Sequence, residues 1–298
     1  LADQALDRSA LHTGLKQQGV HARNVHVSIN TNAAILRDLD LPAAASEREL
    51  RPMIEMEMKQ YLPAGTQYAI DFTVDRQDAV AGAKSMLVHA AAVPSDTIAA
   101  YQAVFRDARL KPVVMDLHQN VMNKLFSVGV SINGEDISGK NYAVLDLSVY
   151  QTTIYAVINN QVELSRIIPV GMGNLERMIS DRLQVNLSEA RQRLASDFGL
   201  VSDNTEPAES VRRFFNQHLT ETRKVLQFIR GKSGGREVDG CILFGIGAVM
   251  PGVSQFLTES LGMGVDVLRS HSRIKSANRK STLSFVSHVN AAGALLRM

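Results

Sequence analysis

Residues 240–252 read Gly-Cys-Ile-Leu-Phe-Gly-Ile-Gly-Ala-Val-Met-Pro-Gly, and this stretch decides the fold. The apolar run 241–244 is typical of a buried strand, and the chain then turns at Gly245 and Gly247 before a helical pattern begins after Gly252. Such a turn lets the backbone approach a nucleotide, because glycine has no Cβ and a helix start offers free N–H groups. The same turn ends many ordinary strand–helix units, so on its own it leaves both interpretations open.

The composition is that of an α/β protein with a full core. The chain has 298 residues, of which 45% are hydrophobic and 21% charged, which suits one large or two modest domains. Its net charge is +2 with no long basic run, so nothing supports nucleic-acid binding. The single cysteine, Cys241, excludes an internal disulfide and lies in an apolar run, as expected of an inert buried thiol. No apolar run reaches the ~18 residues of a membrane span, and no signal peptide is visible.

The first half of the chain alternates strands and helices. Alternating apolar residues predict strands over 25–30, 34–41, 70–76 and 85–93, with a short buried strand at 113–115. Helical spacing predicts helices over 2–18, 46–61, 96–109 and 116–126. Because the first residue is Leu1 and a helical pattern starts at once, we expect an N-terminal segment to be missing. The polar, glycine-containing span 129–139 marks the expected internal boundary.

The second half begins with three predicted strands and continues with helices. The strands are expected over 142–147, 152–158 and 162–170, and the helices over 174–183, 188–198 and 210–230. The opening strand, a helix over 253–261, a strand over 265–268 and a last helix over 283–296 follow. A three-strand meander, helices and a strand–turn–helix form the half-unit of the actin-like ATPase fold. We therefore predict an α/β protein with two ribonuclease-H-like halves, residues 1–139 and 140–298, the first of which lacks its opening hairpin.

Asp146 is the main candidate for chemistry. It ends a predicted strand and precedes a turn that carries hydroxyl groups at Ser148 and Thr152. Mg²⁺ keeps several of its waters, so one carboxylate at such a turn can suffice to hold it. Gly171 and Gly173 follow another strand and open a helix, whose N–H groups could face a phosphate. The alternative interpretations are an aspartate that caps a hairpin and a plain strand-to-helix turn.

Two other groups have weaker patterns. Glu221 and Lys224 lie three residues apart on one helix face, where such a pair can bracket an adenosine but is more often a solvated ion pair. Three methionines between Met53 and Met58 are expected to be core and helix surface, although a methionine-rich surface can also accept a partner peptide. The histidines show no metal-binding spacing, and no nucleophile elbow, Walker loop or catalytic carboxylate pair is found.

The residues resemble the PilM family, cytoplasmic actin-like proteins of type IV pilus assembly that are related to the division protein FtsA. The specific segments are 54–63, Ile-Glu-Met-Glu-Met-Lys-Gln-Tyr-Leu-Pro, and 244–252, which contains Gly-Ile-Gly-Ala and Pro-Gly. The resemblance runs through essentially the whole chain and includes residues 70–72, 110–116, 144–153, 223–228 and 290–297.

The resemblance implies a scaffold that binds ATP, with Mg²⁺, in an interdomain cleft and captures the cytoplasmic tail of a PilN-like inner-membrane protein. The tail would bind a small subdomain inserted at about residues 33–93, through Met53, Glu57, Gln60 and Tyr61. The nucleotide would contact the following residues: Asp146, Ser148, Thr152, Gly171, Gly173, Glu221, Lys224, Gly245, Gly247 and Ala248. The protein would be cytoplasmic and peripheral at the inner membrane through its partner, without inserting into the bilayer itself, and self-association is a further possibility.

The sequence also departs from the family pattern. The phosphate motif Asp-Ile-Gly is here Asp146-Leu147-Ser148, so its glycine is absent, and Phe244 stands where a further glycine is common. We therefore expect weak or lost ATP binding, at most a weak ATPase activity and no catalytic residue. The alternatives are an FtsA-like filament former, a secretion-system relative and, with less support, a sugar or acetate kinase.

Overall fold

The structure, a computed structural model, describes residues 8–17, 21–42, 46–74, 85–196, 206–275 and 284–296. Contacts within the chain divide it into two compact units, Leu1–Met115 and Asp116–Met298. The division therefore falls earlier along the chain than the polar span 129–139. No helix in the described ranges combines the length and the hydrophobicity that a membrane crossing requires.

The first unit alternates helices and strands. Its elements are α1 (Arg8–Gln17), β1 (Asn24–Ile29), β2 (Ile35–Pro42), α2 (Glu47–Lys59), β3 (Tyr68–Val74), β4 (Ser85–Pro94), α3 (Ser95–Asp107) and β5 (Lys111–Leu117). Strands β1 and β5 form a two-stranded sheet. The helix predicted over 2–18 is described only from Arg8 to Gln17, and its remaining residues lie outside the described ranges.

Strands β2, β4 and β3 form an antiparallel sheet in that order, and α2 covers one of its faces. Side chains alternate between the two faces of each strand, so the apolar positions of the three strands meet Leu50, Ile54 and Met58 of α2 in a separate small core. The predicted insertion, residues 33–93, spans these elements.

The second unit contains the longer helices and the larger sheet. Its strands are β6 (Ser131–Ile132), β7 (Glu135–Asp136), β8 (Tyr142–Leu147), β9 (Thr152–Ile158), β10 (Gln161–Ile168), β11 (Gly240–Phe244) and β12 (Val265–Val267). Its helices are α4 (His118–Leu125), α5 (Met172–Leu183), α6 (Leu187–Ser196), α7 (Glu206–Lys232), α8 (Val253–Leu261) and α9 (Val289–Gly293), with short 3₁₀ helices at Ile246–Val249 and Phe285–His288.

Five of these strands form one mixed sheet in the order β10-β9-β8-β11-β12. The first three are antiparallel, as the predicted meander requires, and β11 runs parallel to both β8 and β12. Strands β8, β9 and β11 are buried along their whole lengths. Apolar runs of this kind are what a sheet covered on both faces requires.

Two segments differ from the sequence-based expectation. The span 129–139 contains the β6–β7 hairpin and lies within the second unit, where Ile132 forms a bridge with His271. The single last helix expected over 283–296 is instead a 3₁₀ turn, Phe285–His288, followed by the short helix α9. The backbone N–H of Gly245 donates to the carbonyl oxygen of Val286 over 2.8 Å, which holds this 3₁₀ turn against the end of β11.

Candidate functional site

Asp146 lies at the end of β8 and is almost fully buried, with 1% of its surface exposed. Ser148 Oγ donates to Oδ1 over 2.5 Å, and Asn290 Nδ2 donates to Oδ2 over 2.7 Å. Burial raises the pKa of this carboxyl to about 6, because a charge is costly away from water, and the two hydrogen bonds oppose that rise. The side chain is therefore a buried acceptor whose two oxygens each have a protein donor.

His118, at the start of α4, faces the same carboxyl. Its Nδ1 lies 3.9 Å from Oδ2 of Asp146, and this nitrogen has no hydrogen-bond partner among the described residues. Burial lowers the pKa of the imidazole to about 4, with Asp116 opposing the shift. The ring is consequently neutral near pH 7, and its contact with Asp146 is not an ion pair at that pH.

The two predicted phosphate-side segments lie against each other. Met172 N donates to the carbonyl oxygen of Ser148 over 2.9 Å, and Gly173 N donates to that of Val149 over 2.8 Å. Thr152 opens β9, buried and paired with Leu147 of β8. The structure thus brings Asp146, Ser148, Thr152, Gly171 and Gly173 into one cluster.

The turn after β11 joins this cluster. Gly245 has a φ of +91°, a conformation that favours glycine. A Cβ atom on Gly245 would lie 2.7 Å from the carbonyl oxygen of Leu147, and one on Gly247 would lie 2.8 Å from the Cβ of Leu147. Ala248 is buried in the same turn. The turn that holds the predicted nucleotide-binding residues Gly245, Gly247 and Ala248 therefore contacts Leu147, at the end of β8, directly.

Glu221 and Lys224 form the ion pair that their spacing predicts, with 2.8 Å between Lys224 Nζ and Glu221 Oε1. Glu221 also pairs with Arg166 of β10. Hydrogen bonds, first from Lys224 and then from Arg166, lower the pKa of Glu221. In the described part of the chain these contacts join α7 to β10.

The residues around Asp146 do not fit a hydrated magnesium ion. A carboxylate that holds Mg²⁺ through water must present an oxygen to that water, whereas both oxygens of Asp146 accept protein hydrogen bonds and the side chain is 1% exposed. The described residues also include no group of three or more His, Cys, Asp or Glu side chains that could hold a metal ion.

The four predicted partner-binding residues lie together on one flank of α2 and its end. Met53 packs against the small core, and Gln60 Nε2 donates to Glu57 Oε2 over 3.0 Å. Tyr61, 43% exposed, has the guanidinium carbon of Arg37 4.7 Å from its ring centroid. Because Arg37 belongs to β2, this flank of α2 faces the β2 edge of the sheet.

The opposite flank of α2 faces β3. There Arg51 donates to the carbonyl oxygen of Ile70 over 3.3 Å and lies 3.5 Å from Asp71 Oδ1. The two flanks of α2 thus contact opposite edge strands of one sheet.

Sequence reasoning missed some residues of both sites. Asn290 and His118 contact Asp146, and Arg37 and Arg166 contact predicted site residues, yet none was singled out for a role. Asn290 lies in the segment 290–297, whose resemblance to the family was the one feature of the sequence that pointed to this residue. Its role depends on a contact with a residue 144 positions away, which no local pattern encodes.

The chain matches the sequence model of one protein family over nearly its whole length and is similar in fold to solved structures. Residues 4–297 match the sequence model of the family described as type IV pilus assembly protein PilM. The chain is similar to a solved PilM-PilN type IV pilus biogenesis complex, with 17% identity and a TM-score of 0.72 over 99% of this chain and 85% of that one. It is also similar to MreB5 of Spiroplasma citri bound to ADP, with 9% identity and a TM-score of 0.53 over 96% and 72% of the two chains.

These structural similarities confirm the predicted actin-like α/β fold. The family match spans nearly the whole sequence, and the chain therefore belongs to the PilM family of type IV pilus assembly proteins.

Proposed function

We propose that this chain is a scaffold that captures the cytoplasmic tail of a PilN-like inner-membrane protein. The observation that carries the proposal is the flank of α2 beside strand β2, where Met53, Glu57, Gln60 and Tyr61 lie together. The solved relative that contains PilM and PilN supports the class of partner. By this proposal the protein works in the cytoplasm and reaches the inner membrane through its partner.

Strand β2 is suited to binding an extended segment. It stands at one edge of the sheet, and among the described strands it pairs with β4 alone. An edge strand presents unpaired N–H and C=O groups, to which an extended peptide can add as a further strand. Every second side chain of such a peptide would point toward α2, because successive residues of a strand face opposite sides.

The chemistry of the flank indicates what the tail should contain. Tyr61 and the partly buried Met53 offer apolar surface, and Glu57 offers negative charge beside it. Met56, 64% exposed, extends the apolar surface of the same helix. A tail with an apolar anchor and a nearby basic residue would complement this surface. Aromatic residues such as tyrosine are frequent hot spots, the few residues that supply most of the binding energy of a protein interface.

Chemistry on ATP is not needed for this role. We propose no appreciable hydrolysis of ATP, because the predicted magnesium carboxylate Asp146 is buried and already paired. A scaffold that acts by holding a membrane protein works without turnover. Self-association remains a further prediction from the sequence.

The test is a binding titration of a fluorescent peptide that carries the N-terminal cytoplasmic tail of the PilN-like protein from the same genome. We expect Tyr61→Ala to weaken binding about tenfold, which corresponds to about 1.4 kcal/mol. Arg51→Ala is the matched control, since Arg51 lies on the opposite flank of the same helix, and it should leave the affinity within about twofold. Equal binding of a scrambled peptide, or equal effects of the two substitutions, would contradict the proposal.

A further inference from the structure

In the second unit, a loop of the protein itself lies at the start of α5, where a phosphate group was predicted to bind. We propose that the loop 148–151 occupies the N-terminus of α5, so that this unit accepts no phosphate group of a magnesium nucleotide. This goes beyond the proposed scaffold role, because tail capture on the first unit would be compatible with either an open or a closed phosphate position.

The N–H groups at the start of α5 already have acceptors within the protein. The initial N–H groups of a helix have no partner within the helix, and a bound phosphate normally uses them. Here Gly171 N donates to Asn174 Oδ1 over 3.1 Å, and Asn174 N donates to the carbonyl oxygen of Gly171 over 2.9 Å. Met172 N and Gly173 N donate to carbonyl oxygens of the loop. These four donors are therefore already in use.

Gly171 and Gly173 lie close to the loop 148–151. Gly171 has an extended backbone, with φ −129° and ψ −175°, so its conformation does not require glycine. A Cβ atom there would lie 2.4 Å from the backbone nitrogen of Gln151, and one on Gly173 would lie 3.1 Å from the carbonyl oxygen of Val149. Both glycines thus allow the loop, rather than an anion, to approach the helix.

The turn after β11 packs against the end of β8 and the start of α5. A Cβ atom on Gly247 would lie 2.7 Å from Met172 Sδ and 2.8 Å from Leu147 Cβ. The face of Gly247 that glycine leaves open is therefore filled by the side chains of Leu147, at the end of β8, and Met172, at the start of α5. Asp146 has both carboxyl oxygens paired, so it serves as an internal acceptor.

The first test is calorimetry of the whole chain with MgATP and MgADP. We expect no saturable heat up to millimolar nucleotide and no change in hydrogen exchange at the amides of Met172 and Gly173. A dissociation constant below the millimolar range that Asp146→Asn abolishes would overturn the inference. Tail-peptide binding is measured separately, so failure of this inference and failure of the scaffold role are distinguishable.

The second test compares three glycine substitutions in the absence of nucleotide. If the loop 148–151 occupies the N-terminus of α5, Gly171→Ala should lower the melting temperature by about 5 °C or more and Gly173→Ala by less. Gly264→Ala is the matched control, because a Cβ atom there would meet nothing within 4 Å, and it should change little. If Gly171→Ala were as stable as the control, the loop would not occupy the N-terminus of α5 and the inference would be wrong.

Discussion

Asn290 donates a hydrogen bond to Asp146 over 2.7 Å, although the two residues lie 144 positions apart. The contact ties α9 to the end of β8, close to the neutral ring of His118. A buried carboxylate without a donor is destabilising, because its lost hydration is not replaced. The pair therefore serves the stability of the second unit, and its energetics can be tested through the pH dependence of unfolding.

The first prediction concerns Asp146→Asn. Burial raises the pKa of this carboxyl from 3.8 to about 6, so the folded state binds the proton more tightly than the unfolded state does. The contribution to stability is fully present below the unfolded pKa and is lost as pH rises through about 6, by roughly 3 kcal/mol at most. Asparagine does not titrate. We expect the variant to gain stability relative to the wild type as pH rises from 4 to 8, as measured by urea unfolding. A difference that is constant with pH would contradict this.

The second prediction concerns His118→Gln and has the opposite sign. Burial lowers the pKa of this imidazole from 6.5 to about 4, so the unfolded state binds the proton more tightly. Its contribution is present above the unfolded pKa and is lost as pH falls toward 4, again by roughly 3 kcal/mol at most.

We therefore expect His118→Gln to gain stability relative to the wild type at acid pH, whereas Asp146→Asn gains at neutral pH. Each variant is the control for the other in one series of urea unfolding curves. Between pH 4 and 6 the contributions of Asp146 and His118 have opposite signs, so the quantity to compare is the stability of each variant relative to the wild type at the same pH. Slopes of the same sign in both variants would refute the assignment.

Much of the fold could be predicted because it is encoded locally. The apolar runs predicted the β8–β9–β10 meander and β11 to within about two residues, and α8 at its observed bounds. The last segment could not be predicted in the same way. Its helical spacing is real, but the hydrogen bond from Gly245 to Val286 selects a 3₁₀ turn there, and that bond depends on the folded sheet.

The sequence predicted which segments form the candidate site. It did not predict whether a ligand or a neighbouring loop lies against the glycines of that site. Sequence patterns singled out the loops at Asp146, Gly171 and Gly245, which the structure brings together. Whether a glycine admits a ligand or a neighbouring loop depends on which atoms lie opposite it, and those atoms come from distant segments. The serine at position 148 and the phenylalanine at position 244, each in place of a glycine, were the local signals that this site departs from its family.

The third prediction concerns the buried ion pair of Lys124 and Asp116. Lys124 Nζ lies 2.6 Å from Asp116 Oδ2 and 2.9 Å from the carbonyl oxygen of Leu296, with both side chains less than 10% exposed. Lys124→Met removes the ammonium group and leaves the carboxylate buried without its cation, so we expect a loss of about 3–5 kcal/mol in urea unfolding.

Two further variants control this experiment. Adding Asp116→Asn to Lys124→Met should restore part of the lost stability, because the unpaired charge is then removed. Lys232→Ala breaks an exposed pair with Glu163 and should cost no more than about 1 kcal/mol. If Lys124→Met and Lys232→Ala had similar effects, the burial of the Lys124 pair would not matter to stability.

The last prediction concerns the packing of α9 on α4. A Cβ atom on Gly293 would lie 2.6 Å from Val121 Cγ1 and 2.9 Å from Leu125 Cδ1, and both of these side chains are fully buried. Val121 is β-branched and cannot easily rotate away. We expect Gly293→Ala to destabilise the protein by about 1–3 kcal/mol in urea unfolding, despite the higher helix propensity of alanine. Gly231→Ala, in α7 with nothing within 4 Å, is the control and should instead stabilise by up to about 1 kcal/mol. If both substitutions were stabilising, α9 would not pack against α4 as closely as the structure has it, and the position of Asn290 over Asp146 would need another support.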